Sequence, residues 1–186
     1  ADDMGLGKTV QILALLQSRI TVQKEPTLLL VPKSLIFNWM CEAKKFTPEL
    51  RVVAYTGPGR RSIQRSFKQY HLIISTYGTM RQDVDQLVNH QFDYMILDEA
   101  QVIKNRDSST AKAARLIRAR HRLSMSGTPV ENSLSDLLSQ FEFLNPGMTG
   151  GGRLAEILDV EKLTKSNLEK LRDAFKPFML RRTKQE

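Results

Sequence analysis

Short apolar runs alternate with longer amphipathic segments along most of this chain. Five runs have the length of strands, and polar residues follow each of them. These runs are residues 27–31, 51–55, 72–75, 94–97 and 122–125. The first, at 27–31, fits a strand that is buried on both faces, as in a parallel sheet. The alternation predicts an α/β fold in which helices cover both faces of a parallel sheet.

The amphipathic segments between these runs predict the helices. We expect helices at residues 10–16, 35–46, 80–88, 111–119 and 134–144, and a basic helix that ends near Lys68. Within 111–119, Leu116 and Ile117 are expected on the inner face. Pro146 and Gly147 end the last long helix, and Gly150–152 form a flexible joint before short helices at 154–158 and 167–175. The sequence therefore predicts a main domain at 1–147, a helical appendage at 148–176 and an exit segment at 177–186.

The first residues have the composition of a phosphate-binding loop. Gly5 and Gly7 allow the backbone N–H groups to approach phosphate oxygens, Lys8 can reach the β- and γ-phosphates, and the Thr9 hydroxyl can bind Mg²⁺. The helix that follows directs its positive N-terminal end at the anion. Asp2 stands where the strict pattern has its first glycine, and a Gly-Lys-Thr triplet also occurs by chance before ordinary helices.

A second motif follows the fourth predicted strand. Asp98 lies at the strand's end, where a carboxylate suits Mg²⁺ coordination, and Glu99 beside it can polarise an attacking water. Ser126, Gly127 and Thr128 end the fifth strand, and their hydroxyls can hydrogen-bond the acidic motif. Because ligands bind beyond the carboxyl ends of parallel strands, these motifs predict one composite nucleotide site.

Composition adds an anionic partner to this picture. The chain has 28 basic and 20 acidic residues among 186, a net charge of +8, which favours nucleic acid or simply keeps the protein soluble. Arg60, Arg61, Arg65 and Lys68 form either a DNA-facing patch or a solvated helix face. The single cysteine, Cys41, lies in an apolar helical pattern and is expected to be a buried, inert thiol of a reducing compartment. No apolar run approaches 18 residues, so we expect no membrane partner.

Together the motifs resemble those of the Swi/Snf-type ATPases, which are helicase-like DNA translocases of superfamily two. The resemblance covers nearly the whole chain in order. It is carried by residues 2–9, 31–35 with Asn38, Trp39 and Glu42, 75–77, 98–101 with 103–105, 126–129 with Asn132, 143–147, and 177–184. Trp39 and the methionines are otherwise expected in the core.

The resemblance implies the first RecA-like lobe of a motor that uses ATP and Mg²⁺. In that family ATP lies between two such lobes, and hydrolysis drives the pair along double-stranded DNA without unwinding it. The implied catalytic residues are Asp98 and Glu99, and Thr9 and Asp98 would hold the metal. The implied nucleotide contacts are Gly5, Gly7, Lys8, Thr9, Gln101, Ser126 and Thr128. The implied contacts to the DNA backbone are Pro32, Lys33, Ser34, Ser75, Thr76 and Tyr77.

Several features depart from the family pattern. A second lobe with its arginine fingers, and the adenine-binding segment upstream of the loop, are both expected to lie outside this chain. Residues 148–165 are short and do not show the aromatic-rich protrusion of many eukaryotic members. Gln101 in place of histidine is typical of bacterial members, which predicts a cytoplasmic, nucleoid-associated protein, or a nuclear one if it is eukaryotic.

Two other classes of function agree less well with the sequence. A small P-loop kinase needs an acceptor pocket and a lid, and a GTPase-like switch needs an Asn-Lys-x-Asp motif after a strand; neither pattern occurs. The other alternative is a non-catalytic module that binds DNA or a partner protein. The intact Lys8, Thr9, Asp98 and Glu99 argue against a degenerate ATPase.

Overall fold

A computed structural model of the chain describes residues 6–127, 134–146, 178–180 and 182. Its centre is a five-stranded sheet in which all neighbouring strands run parallel, in the order β2-β3-β1-β4-β5. The strands are β1 (Thr27–Val31), β2 (Val52–Tyr55), β3 (Leu72–Thr76), β4 (Gln91–Leu97) and β5 (Arg118–Ser124). The predicted parallel α/β fold is confirmed.

Seven α-helices accompany the sheet in the described part of the chain. They are α1 (Lys8–Ser18), α2 (Ile36–Phe46), α3 (Arg60–Gln64), α4 (Tyr77–Gln82), α5 (Val84–Leu87), α6 (Ser109–Leu116) and α7 (Leu134–Leu144). Short 3-10 helices occupy Lys33–Leu35, Phe67–Gln69 and Ala100–Ile103. Among the described residues, no helix combines the length and the apolar character needed to cross a membrane.

Alternate residues of β1 enter two different hydrophobic cores. Leu29 and Val31 pack with α1 and α2, whereas Leu28 and Leu30 pack with residues of α4, α5, α6 and α7 on the opposite face. Successive side chains of a strand point to opposite faces, so a strand that is apolar throughout must be covered on both. This is why all five residues of β1 are buried.

The strand register brings the predicted motifs to one edge of the sheet. Val31 pairs with Thr76, Leu30 with Leu97, and Leu97 with Ser124, so four strands end at nearly the same level. The residues that follow these ends therefore lie side by side, as the sequence predicted for the motifs at 31–35, 75–77 and 98–101 and for the motif that begins at Ser126.

Several predictions about individual elements were wrong. The predicted helix at 80–88 is two shorter helices, α4 and α5, the basic helix ends at Gln64 rather than near Lys68, and β4 begins at Gln91 rather than Tyr94. β5 begins at Arg118 rather than Arg122, and α6 ends at Leu116 rather than 119. Leu116 is 62% exposed, whereas Ile117 is fully buried as expected. Cys41 is exposed, because Trp39 and Ala43 form the buried face of α2 and a residue two positions from Trp39 points about 200° around the helix. The predicted appendage at 148–176 lies outside the described residues.

Candidate nucleotide-binding site

The start of α1 presents backbone N–H groups at the edge where the strands end. Gly7 precedes the helix with φ 72° and ψ 30°, a left-handed conformation that favours glycine. The amide N–H of Gln11 donates to the Gly7 carbonyl at 3.1 Å, and the Gln11 side chain donates to the Leu6 carbonyl at 2.9 Å. No acidic side chain occupies the first turn, so its N–H groups remain suited to an anion such as phosphate. Gly5 lies outside the described residues.

One cavity of about 610 Å³ brings the two main motifs together. Its lining includes Gly7, Lys8 and Thr9 of the first motif and Asp98 and Glu99 of the second. Residues about ninety positions apart in the sequence thus meet where a phosphate chain bound at α1 would lie. The structure therefore places Lys8, Thr9, Asp98 and Glu99 around one cavity, as the sequence predicted.

Asp98 is the most unusual titratable group of this cavity. Its side chain is buried, and its Oδ2 accepts the indole N–H of Trp39 at 2.9 Å, while Oδ1 accepts the backbone N–H of Glu99 at 3.0 Å. Burial raises the pKa of this carboxyl above its ordinary value, against the smaller lowering effects of the Trp39 hydrogen bond and of the positive charge on Lys8. A cation bound in the cavity would favour the ionised carboxylate and so offset the energetic cost of its burial.

The donor groups fit Mg²⁺ better than a transition metal. The Thr9 hydroxyl and the Asp98 carboxylate are hard oxygen donors, and each carboxylate oxygen has a lone pair left beside its hydrogen bond. Among the described residues, no group of three or more His, Cys, Asp or Glu side chains is arranged to hold a metal. Mg²⁺ suits such a sparse site because it keeps several waters and shares phosphate oxygens.

Glu99 is held in a chain of side-chain hydrogen bonds. Its backbone adopts φ 51° and ψ 54°, the only positive φ at a non-glycine residue in the described part of the chain. The side-chain amide of Gln101 donates to Glu99 Oε2 at 2.8 Å, and the Ser126 hydroxyl donates to Gln101 Oε1 at 3.3 Å. Gln101 therefore links Ser126 to Glu99. Thr128 lies outside the described residues.

Lys8 and Ser126 also line a second, smaller cavity of about 260 Å³. Residues of the predicted exit segment close one side of it. Phe178 packs edge-on against Phe141 with ring centroids 5.9 Å apart, and Arg182 donates to the Gln11 side chain at 2.6 Å. Phe178 of the predicted exit segment thus contacts α7, and Arg182 contacts α1.

The six residues implied in DNA contact differ in their exposure. Lys33 and Ser34 are exposed, and Pro32 and Thr76 are half-buried. Ser75 is fully buried and donates to the Tyr55 carbonyl at 2.8 Å. Tyr77 is 8% exposed, and its hydroxyl donates to the main-chain carbonyl of Asp98 at 2.6 Å. The side chains of Ser75 and Tyr77 are thus hydrogen-bonded within the fold.

Sequence reasoning missed the contacts of Trp39 and Tyr77 with Asp98. Both aromatic residues belong to motifs of the family resemblance, and Trp39 is otherwise expected in the core. Its burial is confirmed at 1% exposed, and it is also a hydrogen-bond donor to the carboxylate of Asp98. A buried indole N–H requires an acceptor, so the presence of tryptophan in an apolar helix is the signal that could have indicated such a contact.

Comparison with known proteins identifies the family. The model of the SNF2-related domain matches residues 1–186. A protein of Mycoplasma genitalium, named as an uncharacterized ATP-dependent helicase, is 39% identical over 99% of this chain. The TATA-binding protein-associated factor Mot1 of Saccharomyces cerevisiae is 34% identical over the whole chain. The chain spans 18% and 12% of the lengths of these two relatives.

The fold gives the same result. The SWI2/SNF2 ATPase core of Sulfolobus solfataricus, solved in complex with double-stranded DNA, matches with a TM-score of 0.88 and 35% identity. That match covers 100% of this chain and 40% of the solved one. Relatives occur in bacteria and in yeast, so the bacterial origin stays a prediction. The chain therefore belongs to the SNF2-related domain family, as the first RecA-like lobe of a Swi/Snf helicase-like ATPase.

Proposed function

We propose that this chain is the ATP-binding lobe of a motor that moves along double-stranded DNA. The observation that carries the proposal is the shared cavity of Lys8, Thr9, Asp98 and Glu99, which joins a phosphate-binding helix start to a buried carboxylate. Support for the DNA substrate comes from the similar SWI2/SNF2 core, which was solved with a duplex.

Each residue of the cavity has a role that follows from its chemistry. The N–H groups at the start of α1 and the Lys8 ammonium bind the phosphates. Thr9 and Asp98 hold Mg²⁺, which when bound neutralises phosphate charge. Glu99 orients the attacking water through its carboxylate. The side-chain amide of Gln101 holds that carboxylate by donating to its Oε2. Ser126 reaches Glu99 through Gln101, which gives the end of β5 a route to sense nucleotide state.

DNA contact in this proposal falls on the edge beside the nucleotide site. Lys33 and Ser34 follow β1, and Thr76 ends β3; all three offer polar atoms to a phosphate backbone. Ser75 and Tyr77 support that edge from inside. Such contacts carry no base information, so the lobe binds duplexes of any sequence. A second RecA-like lobe completes the ATP site and the DNA groove.

Nucleotide binding by the 186-residue chain tests the proposal. Isothermal titration calorimetry with Mg–ATP and Mg–GTP should give weak and nearly equal affinities, because the contacts are to phosphates rather than to the base. Lys8→Ala should abolish the binding. Lys44→Ala is the matched control, since this exposed lysine of α2 does not line the cavity, and it should leave the affinity unchanged. Strong selectivity for adenine, or binding that survives Lys8→Ala, would contradict the proposal.

A further inference from the structure

Asp98 is held by side chains from two other segments of the fold. The indole N–H of Trp39 donates to its carboxylate at 2.9 Å, and the hydroxyl of Tyr77 donates to its main-chain carbonyl at 2.6 Å. Both donors are almost fully buried, with 1% and 8% of their surface exposed. The carboxylate of Asp98 is therefore held from α2, and its main chain is held from α4.

These two segments are also the ones that carry the proposed DNA contacts. Trp39 is the fourth residue of α2. This helix begins directly after the 3-10 helix Lys33–Leu35, which follows β1. Tyr77 is the first residue of α4, and Thr76 caps that helix by accepting the backbone N–H of Thr79 at 3.0 Å. A shift of either segment against β4 would change a hydrogen bond to Asp98. Each hydrogen bond thus connects one of these two segments directly to Asp98, without other core residues between them.

The chemistry of the two contacts exceeds what packing alone requires. A phenylalanine would fill most of the space of either side chain, yet both positions place a polar donor on the same acidic residue. The bond from Trp39 is charge-assisted and thus stronger and more directional than a bond to a neutral carbonyl. It orients the carboxylate of Asp98, whose oxygens keep further lone pairs that can accept from, or coordinate, a group bound in the cavity.

We propose that Trp39 and Tyr77 are positioning residues that couple DNA binding at the Lys33–Leu35 and Thr76 segments to the metal-binding carboxylate of Asp98. The inference rests on the proposed function and adds a route of regulation to it. Duplex DNA and Mg–nucleotide then alter each other's affinity, and the two effects must be equal in size because coupling between binding sites is reciprocal.

The first test uses Trp39 as its own reporter. The chain has one tryptophan, so a ¹⁵N–¹H spectrum contains one indole N–H resonance. A short duplex of mixed sequence is titrated in without nucleotide, and binding is followed in parallel by fluorescence anisotropy of labelled DNA. The indole resonance should move along the anisotropy binding curve. In a second titration, Mg–ADP without DNA should move the same resonance.

The second test measures the coupling in conservative variants. We expect duplex DNA to change the Mg–ADP affinity of the wild-type chain about fivefold or more, the lower end of common coupling factors. Trp39→Phe and Tyr77→Phe keep an aromatic ring and remove the donor, and each should reduce the factor below about twofold. In Trp39→Phe, the DNA affinity without nucleotide should stay within about twofold of the wild-type value. Tyr55→Phe is the matched control, because it removes a buried hydroxyl that donates to Asp83 instead, and it should keep the full coupling.

Each outcome decides the inference. Duplex binding with a silent indole resonance, or full coupling in both Phe variants, would overturn the coupling role and leave the proposed function intact. An anisotropy titration without duplex binding would overturn the proposed function and this inference together. Should a Phe variant fail to fold, the indole titrations of the wild-type chain still give the answer.

Discussion

Asp98 places a carboxylate that is 8% exposed beside a cavity, and burial raises its pKa above the ordinary value for aspartate. A carboxyl that holds its proton more tightly in the folded chain than in the unfolded one lowers stability at neutral pH. The unfavourable contribution is complete above the raised pKa and disappears as the pH falls to the unfolded value. Residues that serve function often reduce stability in this way.

Asp98→Asn should therefore stabilise the isolated chain. At pH 7 we expect a gain of roughly 0.5–2 kcal/mol, in the range of single stabilising substitutions, which corresponds to a rise in Tm of about 2–4 °C per kcal/mol for a chain of this size. Thermal unfolding followed by circular dichroism from pH 7 down to pH 4 measures it. The gain should shrink on acidification, because wild-type Asp98 then takes up its proton.

Asp107→Asn is the control for this experiment. The Asp107 side chain is 87% exposed, and its ion pair with Lys112 is long, at 4.0 Å. It should change the unfolding free energy by less than about 0.5 kcal/mol at every pH. A destabilised Asp98→Asn variant at pH 7 would show that the carboxylate's hydrogen bonds outweigh its desolvation.

The chemistry of single site residues was predictable, but their partners were not. Lys8, Thr9, Asp98 and Glu99 follow from loop composition and from acids at the end of an apolar strand, and they do share one cavity. The bond from Trp39 to Asp98 joins residues 59 positions apart. It depends on how far α2 lies from β4, a distance that no local pattern contains.

Among the elements, β2, α3 and the junction of α4 with α5 are tied together by one buried carboxylate. Asp83 is 3% exposed, accepts the Tyr55 hydroxyl at 2.8 Å and accepts the Arg60 guanidinium at 3.0 Å. The Arg60 hydrogen bonds lower the pKa of Asp83 despite the opposing effect of burial. Arg60 is therefore engaged inside the fold rather than in a DNA-facing patch with Arg61.

Removing this carboxylate should destabilise the fold and alter its acid sensitivity. Asp83→Ala leaves the buried Tyr55 hydroxyl and the partly exposed Arg60 guanidinium without their acceptor. The unsatisfied buried hydroxyl costs about 1–3 kcal/mol; Tyr55→Phe, which removes one donor, costs about 1 kcal/mol. Because the pKa is lowered in the folded state, the contribution of Asp83 is complete above the ordinary aspartate range and is lost as the pH falls through the lowered pKa. Urea unfolding at pH 7 and pH 3 measures both effects.

The surface variant Asp107→Ala provides the comparison, and its effect should stay below about 1 kcal/mol. If Asp83→Ala were no more costly than this control, the network would not hold the three elements together. Equal losses at pH 7 and pH 3 would argue against the assigned direction of the Asp83 pKa shift.

Strands that are apolar throughout were the most predictable elements. β1 was placed at its observed bounds because five consecutive apolar or β-branched residues lie between two prolines. β5 was predicted four residues short, since Arg118, Arg120 and His121 are polar. Its backbone pairs with β4 along this stretch, and in the described part of the chain β4 is its one strand neighbour, so these side chains need not be apolar.

For the molecule as a whole, we expect ATP hydrolysis to need groups around the phosphates in addition to the described residues of the cavity. The described residues that line the 610 Å³ cavity include lysines and carboxylates but no arginine. Phosphoryl transfer is commonly accelerated about 10³–10⁵-fold by a positioned arginine. The 186-residue chain alone should therefore hydrolyse ATP very slowly, with or without duplex DNA.

A phosphate-release assay checks this, with Glu99→Gln as the background control for contaminating ATPases. A longer chain that includes a second RecA-like lobe should restore DNA-stimulated turnover. Rapid, DNA-stimulated hydrolysis by the 186 residues alone, absent in Glu99→Gln, would show that this lobe holds the complete catalytic apparatus.

The positive charge of the whole chain leads to a quantitative expectation for DNA. The net charge is +8, and Lys33, Arg61 and Arg81 are exposed near the strand ends that form the proposed DNA edge, whereas Arg60 is taken by Asp83. Each neutralised phosphate contributes about −0.9 to the slope of log affinity against log salt, so three or four contacts predict a slope of about −3 to −4. Binding should be weak and equal on duplexes of unrelated sequence.

Lys33→Ala should weaken binding equally on all duplexes and flatten that slope by about one unit, because one phosphate contact is lost. Lys112→Ala, which removes an exposed charge from α6, serves as the matched variant and should leave the slope unchanged. Anisotropy titrations at four salt concentrations on two duplexes of different sequence measure both quantities. A slope near zero, or an affinity that differs strongly between the duplexes, would mean that the charge serves something other than a DNA backbone. If Lys33→Ala and Lys112→Ala changed the slope equally, the phosphate contacts would not lie at the edge beside β1, because Lys33 follows β1 and Lys112 lies in α6.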